Sequence, residues 1–158
     1  MSERTTVLAI DPGPIESAYV FWDGERIGER GKVKNKDLLG KINVVYIFGK
    51  PTEFCIEMIA SYGMAVGAEV FETCVWIGRF MEATNGLAHR LKRKEIAMHL
   101  CDSPRANDSN IRAALIDRLG APGTKKAPGP TYGVSGDVWA ALAVAVTWWD
   151  KNGKAETK

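Results

Sequence analysis

Three strand-length apolar runs crowd into the first 34 residues, with no helical pattern between them. They lie at residues 6–10, 16–22 and about 26–33. Asp11-Pro12-Gly13 breaks the first run from the second, and Asp23-Gly24 turns the second into the third. Connections this short leave no room for a crossover helix, so the strands pair antiparallel as a meander. After them the pattern changes. Leu38, Leu39, Ile42 and Val45 keep helical spacing within residues 36–48, although Val44-Val45-Tyr46-Ile47-Phe48 would also suit a strand. A short strand follows at 54–59, a long apolar-rich helix at about 65–83, and a fifth strand at 87–92. Three helices close the chain, at about 94–100, 107–119 and 136–149. The order β-β-β-α-β-α-β-α-α-α predicts an α/β fold. Its sheet is mixed and five-stranded, three antiparallel strands then two parallel, with helices on both faces.

The chain has 158 residues, enough for one domain with a real core, here placed at residues 1–150 with a polar tail at 151–158 that is expected to fray. Charged residues make up 25% and hydrophobic ones 46%, which excludes wholesale disorder. No apolar run reaches the 20 or so residues that span a bilayer, and the start, MSERTT, carries no signal-peptide core. The three cysteines form no CxxC pair. Cys55 and Cys74 sit in apolar stretches and read as buried small hydrophobes, as suits a reducing, cytoplasmic setting. His89 and His99 have no partner at ligand spacing and read as structural. A net charge of +2 does not by itself imply nucleic acid, but the cations cluster: Lys32, Lys34 and Lys36; Arg90, Lys92, Arg93 and Lys94; Lys125 and Lys126. Such clusters suit a polyanion as well as a solvated face.

Three carboxylates stand out. Asp11 ends the first strand, where Pro12 and Gly13 forbid its continuation; Asp-Pro-Gly also opens ordinary turns. Glu57 lies in "FCIEMI", on a strand with no polar face, so it must be paired with a cation, protonated or bound to a metal. Asp137 begins the last helix, where capping alone would account for it. Ala140 and Ala141 beside it let that helix approach a sheet closely. One acid at a strand end, one within a strand and one at a helix start are a donor set for hard divalent ions, which take oxygen ligands and leave positions open for phosphate. The segment "GAPGTKKAPGPTYGVS" just ahead of Asp137 is a Gly/Pro loop long enough to be functional, and it carries Lys125 and Lys126.

"AIDPG", "CIEM" and "GDVWAALAVAVTWW", in this order and spacing, resemble the three motifs of the RuvC-type Holliday junction resolvases of the RNase H-like superfamily. The resemblance covers nearly the whole chain and is closest to the compact RuvC-like proteins of bacteriophages, where a "GTKK.PGP.YGVS" loop also precedes the last acid. It implies a homodimeric endonuclease that uses Mg²⁺, or Mn²⁺ in its place, with two ions per active site. Such an enzyme cuts two strands of a four-way DNA junction symmetrically, leaving 5′-phosphate and 3′-hydroxyl ends. Asp11, Glu57 and Asp137 carry over as metal ligands, and the helix at 65–83 as the dimer contact. The chain departs from the pattern in three places. The family's fourth acid falls on Ala140, with Asp108 as the candidate substitute. The family's lysine falls on Asp108, with Arg112 or Arg105 as candidate replacements. The family's junction-opening aromatic falls on Ala60, with Tyr62 the nearest ring. Lys125 and Lys126 are expected at phosphates near the cut. Two other readings fit the same residues: a junction-binding module that does not cut, and an RNase H-like nuclease acting on flaps, forks or RNA–DNA hybrids.

Overall fold

The computed structural model describes residues 4–153. Five strands form one sheet in the order β3-β2-β1-β4-β5. They are β1 (Thr6–Asp11), β2 (Glu16–Trp22), β3 (Ile27–Lys34), β4 (Thr52–Met58) and β5 (His89–Lys92). β1 pairs antiparallel with β2, and β2 with β3; β4 lies parallel to both β1 and β5. This is the predicted meander followed by two parallel strands. β1 is central, and its side chains alternate between two cores. Val7 and Ala9 face one, Leu8 and Ile10 the other.

The first core is roofed by α5 (Val138–Asn152), with α3 (Arg93–Cys101) and α4 (Asp108–Leu119) outside it. α5 is buried at Val138, Trp139 and every position from Ala141 to Trp148. Its run of alanines packs it close on the sheet, and the outer helices cover the rest. Ala140 is the exception in this stretch, being partly open. The second core is closed by α1 (Asn35–Phe48) and α2 (Ala68–Ala83), through Leu38, Ile42, Ile77 and Phe80. Residues 36–48 are thus helical, and the strand option for 44–48 fails. Val44, Ile47 and Phe48 are left exposed at its end.

Two expectations need correction. The long helix turns only part of its apolar surface inward. Thr73, Ile77 and Phe80 are buried, at positions i, i+4 and i+7, while Phe71 and Val75 are 62% and 54% exposed. Cys74 is exposed as well and is not a core residue, although Cys55 is. A helix apolar around most of its girth offers several stripes, and spacing alone does not choose between them. The C-terminal helix also runs past Trp149 to Asn152. Lys151 Nζ donates to Glu95 Oε1 at 2.8 Å, and Asn152 Nδ2 to the Trp148 carbonyl at 3.0 Å, so this part of the expected tail is fastened. The rest of that tail, 154–158, lies outside the described residues. Among those described, no helix is long and apolar enough to cross a membrane.

Candidate active site

Asp11 is the last residue of β1, still paired with Ala18 of β2. The turn beyond it is locked from below. Ser17 Oγ accepts from the Gly13 amide at 3.1 Å and donates to Asn35 Oδ1 at 2.6 Å, and Asn35 Nδ2 donates to the Gly13 carbonyl at 2.9 Å. Ser17 and Asn35 are both buried, so this small polar network fixes where the β1 terminus points. Glu57 lies next to β1 on β4, opposite Leu91 of β5, and is 9% exposed. Asp137 sits at the N-terminal end of α5, yet its side chain makes no capping hydrogen bond. Its Oδ2 accepts instead from Lys32 Nζ at 2.7 Å.

These acids line one cavity of about 360 Å³, together with Asp108, Arg93 and Arg112. Burial is the main force on the two inner acids. It pushes Asp11 up to about 7, helped by the charges of Glu57 and then Asp137. Burial likewise raises Glu57, opposed by the Arg93 guanidinium. Arg93 Nη1 stands 3.9 Å from Glu57 Oε1, while its Nη2 is bonded to Asp108 Oδ1. The salt bridge that would account for Glu57 is therefore long, and its cation is shared with a second acid. Asp11 and Glu57 are close enough for the charge on Glu57 to raise Asp11 further.

Asp11, Glu57, Asp137, Asp108 and Arg112 all reach this cavity. Arg112 lies over the Trp139 ring, with Cζ 5.1 Å from its centroid. Other expected residues lie elsewhere. Arg105 borders a separate recess with Ser103 and Asn110. Tyr62 is half exposed, and the Lys94 ammonium lies 4.1 Å from its ring centroid. Lys125 and Lys126 form the exposed tip of the Gly/Pro loop, which closes on itself through a Gly123–Pro128 bridge and a 2.8 Å bond from the Gly129 amide to the Pro122 carbonyl. Two functional candidates were visible in the sequence only as members of basic runs. Arg93 is one, brought to Glu57 because β5 runs parallel to β4 and ends beside it. Lys32 is the other, brought to Asp137 by the edge strand.

The donor set suits a hard divalent cation in chemistry: a half-buried and a buried carboxylate whose repulsion an ion would relieve, with a third at the cavity rim. It is not a closed cage. Among the described residues no three His, Cys, Asp or Glu side chains gather closely enough to enclose a metal. Asp11, Glu57 and Asp137 share one cavity but do not converge on one point, because Asp137 is held toward Lys32.

No family model and no curated relative matches the sequence. Solved structures do match. Thermus thermophilus RuvC superposes with a TM-score of 0.64 at 20% identity, covering 94% of this chain and 96% of that one. The T. thermophilus RuvC in complex with Holliday junction substrate gives 0.61 at 20% identity, over 90% and 91%. Over nearly its whole length, then, the chain has the RuvC form of the RNase H-like fold.

Proposed function

We propose that this chain is a divalent-cation-dependent endonuclease that cuts four-way DNA junctions symmetrically as a homodimer. The observation that carries this reading is the pair of mutually repelling carboxylates, half-buried Asp11 and buried Glu57, in an arginine-lined cleft of a RuvC fold. Such a pair is costly in a resting protein and useful once a cation arrives. Asp11 and Glu57 would hold the ion, with Asp137 at its open side. Mg²⁺ bound there would supply an activated water and charge for the phosphodiester oxyanion. Arg93 and Arg112 present fixed positive charge in the same cavity, where it would meet the negative charge that grows as the P–O bond breaks. Lys125 and Lys126, exposed at their loop tip, would meet the backbone beside the cut, with Arg105 and Tyr62 further along the DNA. Exposed Phe71 and Val75 on α2 provide an apolar face for a twofold partner, and a twofold enzyme suits a substrate with two equivalent strands. The proposed setting is the cytoplasm, where such DNA is found.

A second reading has one observation in its favour: Ala140 supplies no acid and Asp137 is already paired, as in a module that binds junctions without cutting them. The deciding experiment uses purified protein with synthetic four-way junctions, flaps, forks and RNA–DNA hybrids, with Mg²⁺ and with chelator, alongside its mass in solution. Paired nicks in junctions alone, dependent on Mg²⁺, by a dimer are expected. Binding without nicking would establish the module, and preference for another substrate would move the enzyme to it.

A further inference from the structure

We infer that the chain by itself offers one divalent-cation site, at Asp11 and Glu57, and that the Lys32 ammonium supplies positive charge at Asp137 in place of a second ion. This rests on the cation-dependent reading above and deepens it. The resemblance implies two ions, but the donors in this cleft are arranged otherwise.

The sheet register explains why Lys32 is there. Asp11 of β1 pairs with Ala18 of β2, and Ala18 pairs with Lys32 of β3. The three residues form one row across the sheet, so their side chains leave the same face. Ala18 contributes only a methyl group, which leaves the row open between the acid and the lysine. Ala18, Lys32, Asp11 and Asp137 accordingly line a second cavity of about 370 Å³ that joins the first at the two acids. From the edge strand, the lysine side chain reaches across to Asp137 at 2.7 Å. Arg30, two residues earlier on the same face, fastens the adjoining loop by donating from Nη2 to the Tyr132 carbonyl at 2.7 Å. The start of α5 and the loop before it are thus each tied to β3 by one cation.

An ion at the Asp137 corner would find few oxygens. Asp137 Oδ2 is engaged by Lys32. One helical turn on, Ala140 faces the first cavity with a methyl where an acid would complete the second site. Asp108 is drawn off by Arg93. Around the two cavities five carboxylates, Asp11, Glu16, Glu57, Asp108 and Asp137, face Arg93, Arg112 and Lys32, leaving two negative charges in excess. A single divalent ion already offsets them. A lysine ammonium is a compact point charge with three donors, suited to hold one carboxylate and present a proton donor toward phosphate.

The test counts ions without DNA and without turnover. Mn²⁺ is titrated into the free chain, with the stoichiometry read by calorimetry and the unbound ion by electron paramagnetic resonance. One bound Mn²⁺ per chain is expected for the wild type, and two for Lys32→Met combined with Ala140→Asp. Two ions on the wild type, or one on the double variant, would overturn the inference while leaving the nuclease reading intact. No bound ion on the wild type would overturn both. If the double variant fails to fold, Lys32→Met alone decides. Loss of a half-exposed cation beside the site should tighten Mn²⁺ binding by up to about fivefold, and an unchanged or weaker Kd would overturn the inference.

Discussion

Replacing Asp11 with asparagine should stabilise this protein in the absence of divalent cations, by an amount that grows as pH rises from about 4 to about 7. Burial and the charges of Glu57 and Asp137 lift Asp11 to about 7. Between the ordinary carboxylate value of about 3.9 and that raised value, the folded chain binds more protons than the unfolded one. Stability therefore falls as pH rises through this window, and the loss is complete above it. At about 1.4 kcal/mol per unit, the full shift corresponds to about 4 kcal/mol. The cleft is open to water, so about 2 kcal/mol is the working figure. For a chain of this size that is a rise in Tm of about 4–8 °C. The assay is thermal unfolding of wild type and Asp11→Asn at pH 8 and pH 5.5, with chelator and with excess Mg²⁺. At pH 8 with chelator the variant should melt higher. At pH 5.5 the folded carboxyl is protonated but the unfolded one is ionised, so about half of the difference should remain. With Mg²⁺ at pH 8 the order should narrow or reverse, since the wild type gains binding energy the variant has lost. A variant that melts lower at pH 8 with chelator, or gains equally at both pH values, would refute the claim that Asp11 sits under electrostatic stress.

Four further outcomes are expected. Asp11→Asn, Glu57→Gln and Asp137→Asn should each lower junction cleavage on the order of 100-fold or more while leaving junction affinity nearly unchanged, measured by single-turnover nicking and gel shift; normal cutting by one variant would remove that residue from the site. Lys125→Ala with Lys126→Ala should reduce the slope of log affinity against log salt by about 1–2, and an unaltered slope would leave the loop tip merely solvated. Phe71→Glu with Val75→Glu should yield a monomer by sedimentation with little change in Tm, because both side chains are exposed; an unchanged mass would place any dimer contact elsewhere. Asp150→Asn should destabilise the fold by about 1–3 kcal/mol, because its nearly buried carboxylate accepts from Arg118 and His99. Burial works against that carboxylate, yet these partners hold it below its ordinary range, so its contribution is present above the unfolded-state value and lost as acid lowers the pH below it.

What could be read before folding followed from local chemistry. Turn residues and apolar alternation placed the three-strand meander, and the capping residues at 107–109 placed the start of α4, where Asn107 and Asn110 cap each other. The acids were legible because each is locally incongruous: Asp11 at an apolar strand end, Glu57 in a strand with no wet face. The inner stripe of α2 was not legible, because Val70, Phe71, Cys74 and Val75 are as apolar as Ile77 and Phe80. Which side meets the sheet depends on how the helix is rotated by the short segments around it. A lysine run also gives no hint that its members differ. Lys32 is bonded to an acid 105 positions away, while Lys34 and Lys36 project into solvent.

The two missed cations explain why the cleft tolerates its acids. Removing one partner from a buried charge cluster costs far more than the cluster is worth, so a site with four carboxylates needs its counter-charges positioned by the scaffold before any ion binds. Here they come from the strands that bracket the acids. Arg93 follows β5, beside Glu57 on β4; Lys32 sits on β3, two strands from Asp11 in the same row. Each cation is close enough to restrain an acid and too far to neutralise the inner pair, since Arg93 is shared with Asp108 and Lys32 is committed to Asp137. The residual repulsion falls on Asp11 and Glu57, on the two strands least able to move. Sheet rigidity, held at the β1 turn by Ser17 and Asn35, keeps that repulsion from relaxing by a shift of backbone. The charge that remains is therefore available to a cation entering from solvent, and stability at this corner of the fold should depend on that cation more than on any further packing.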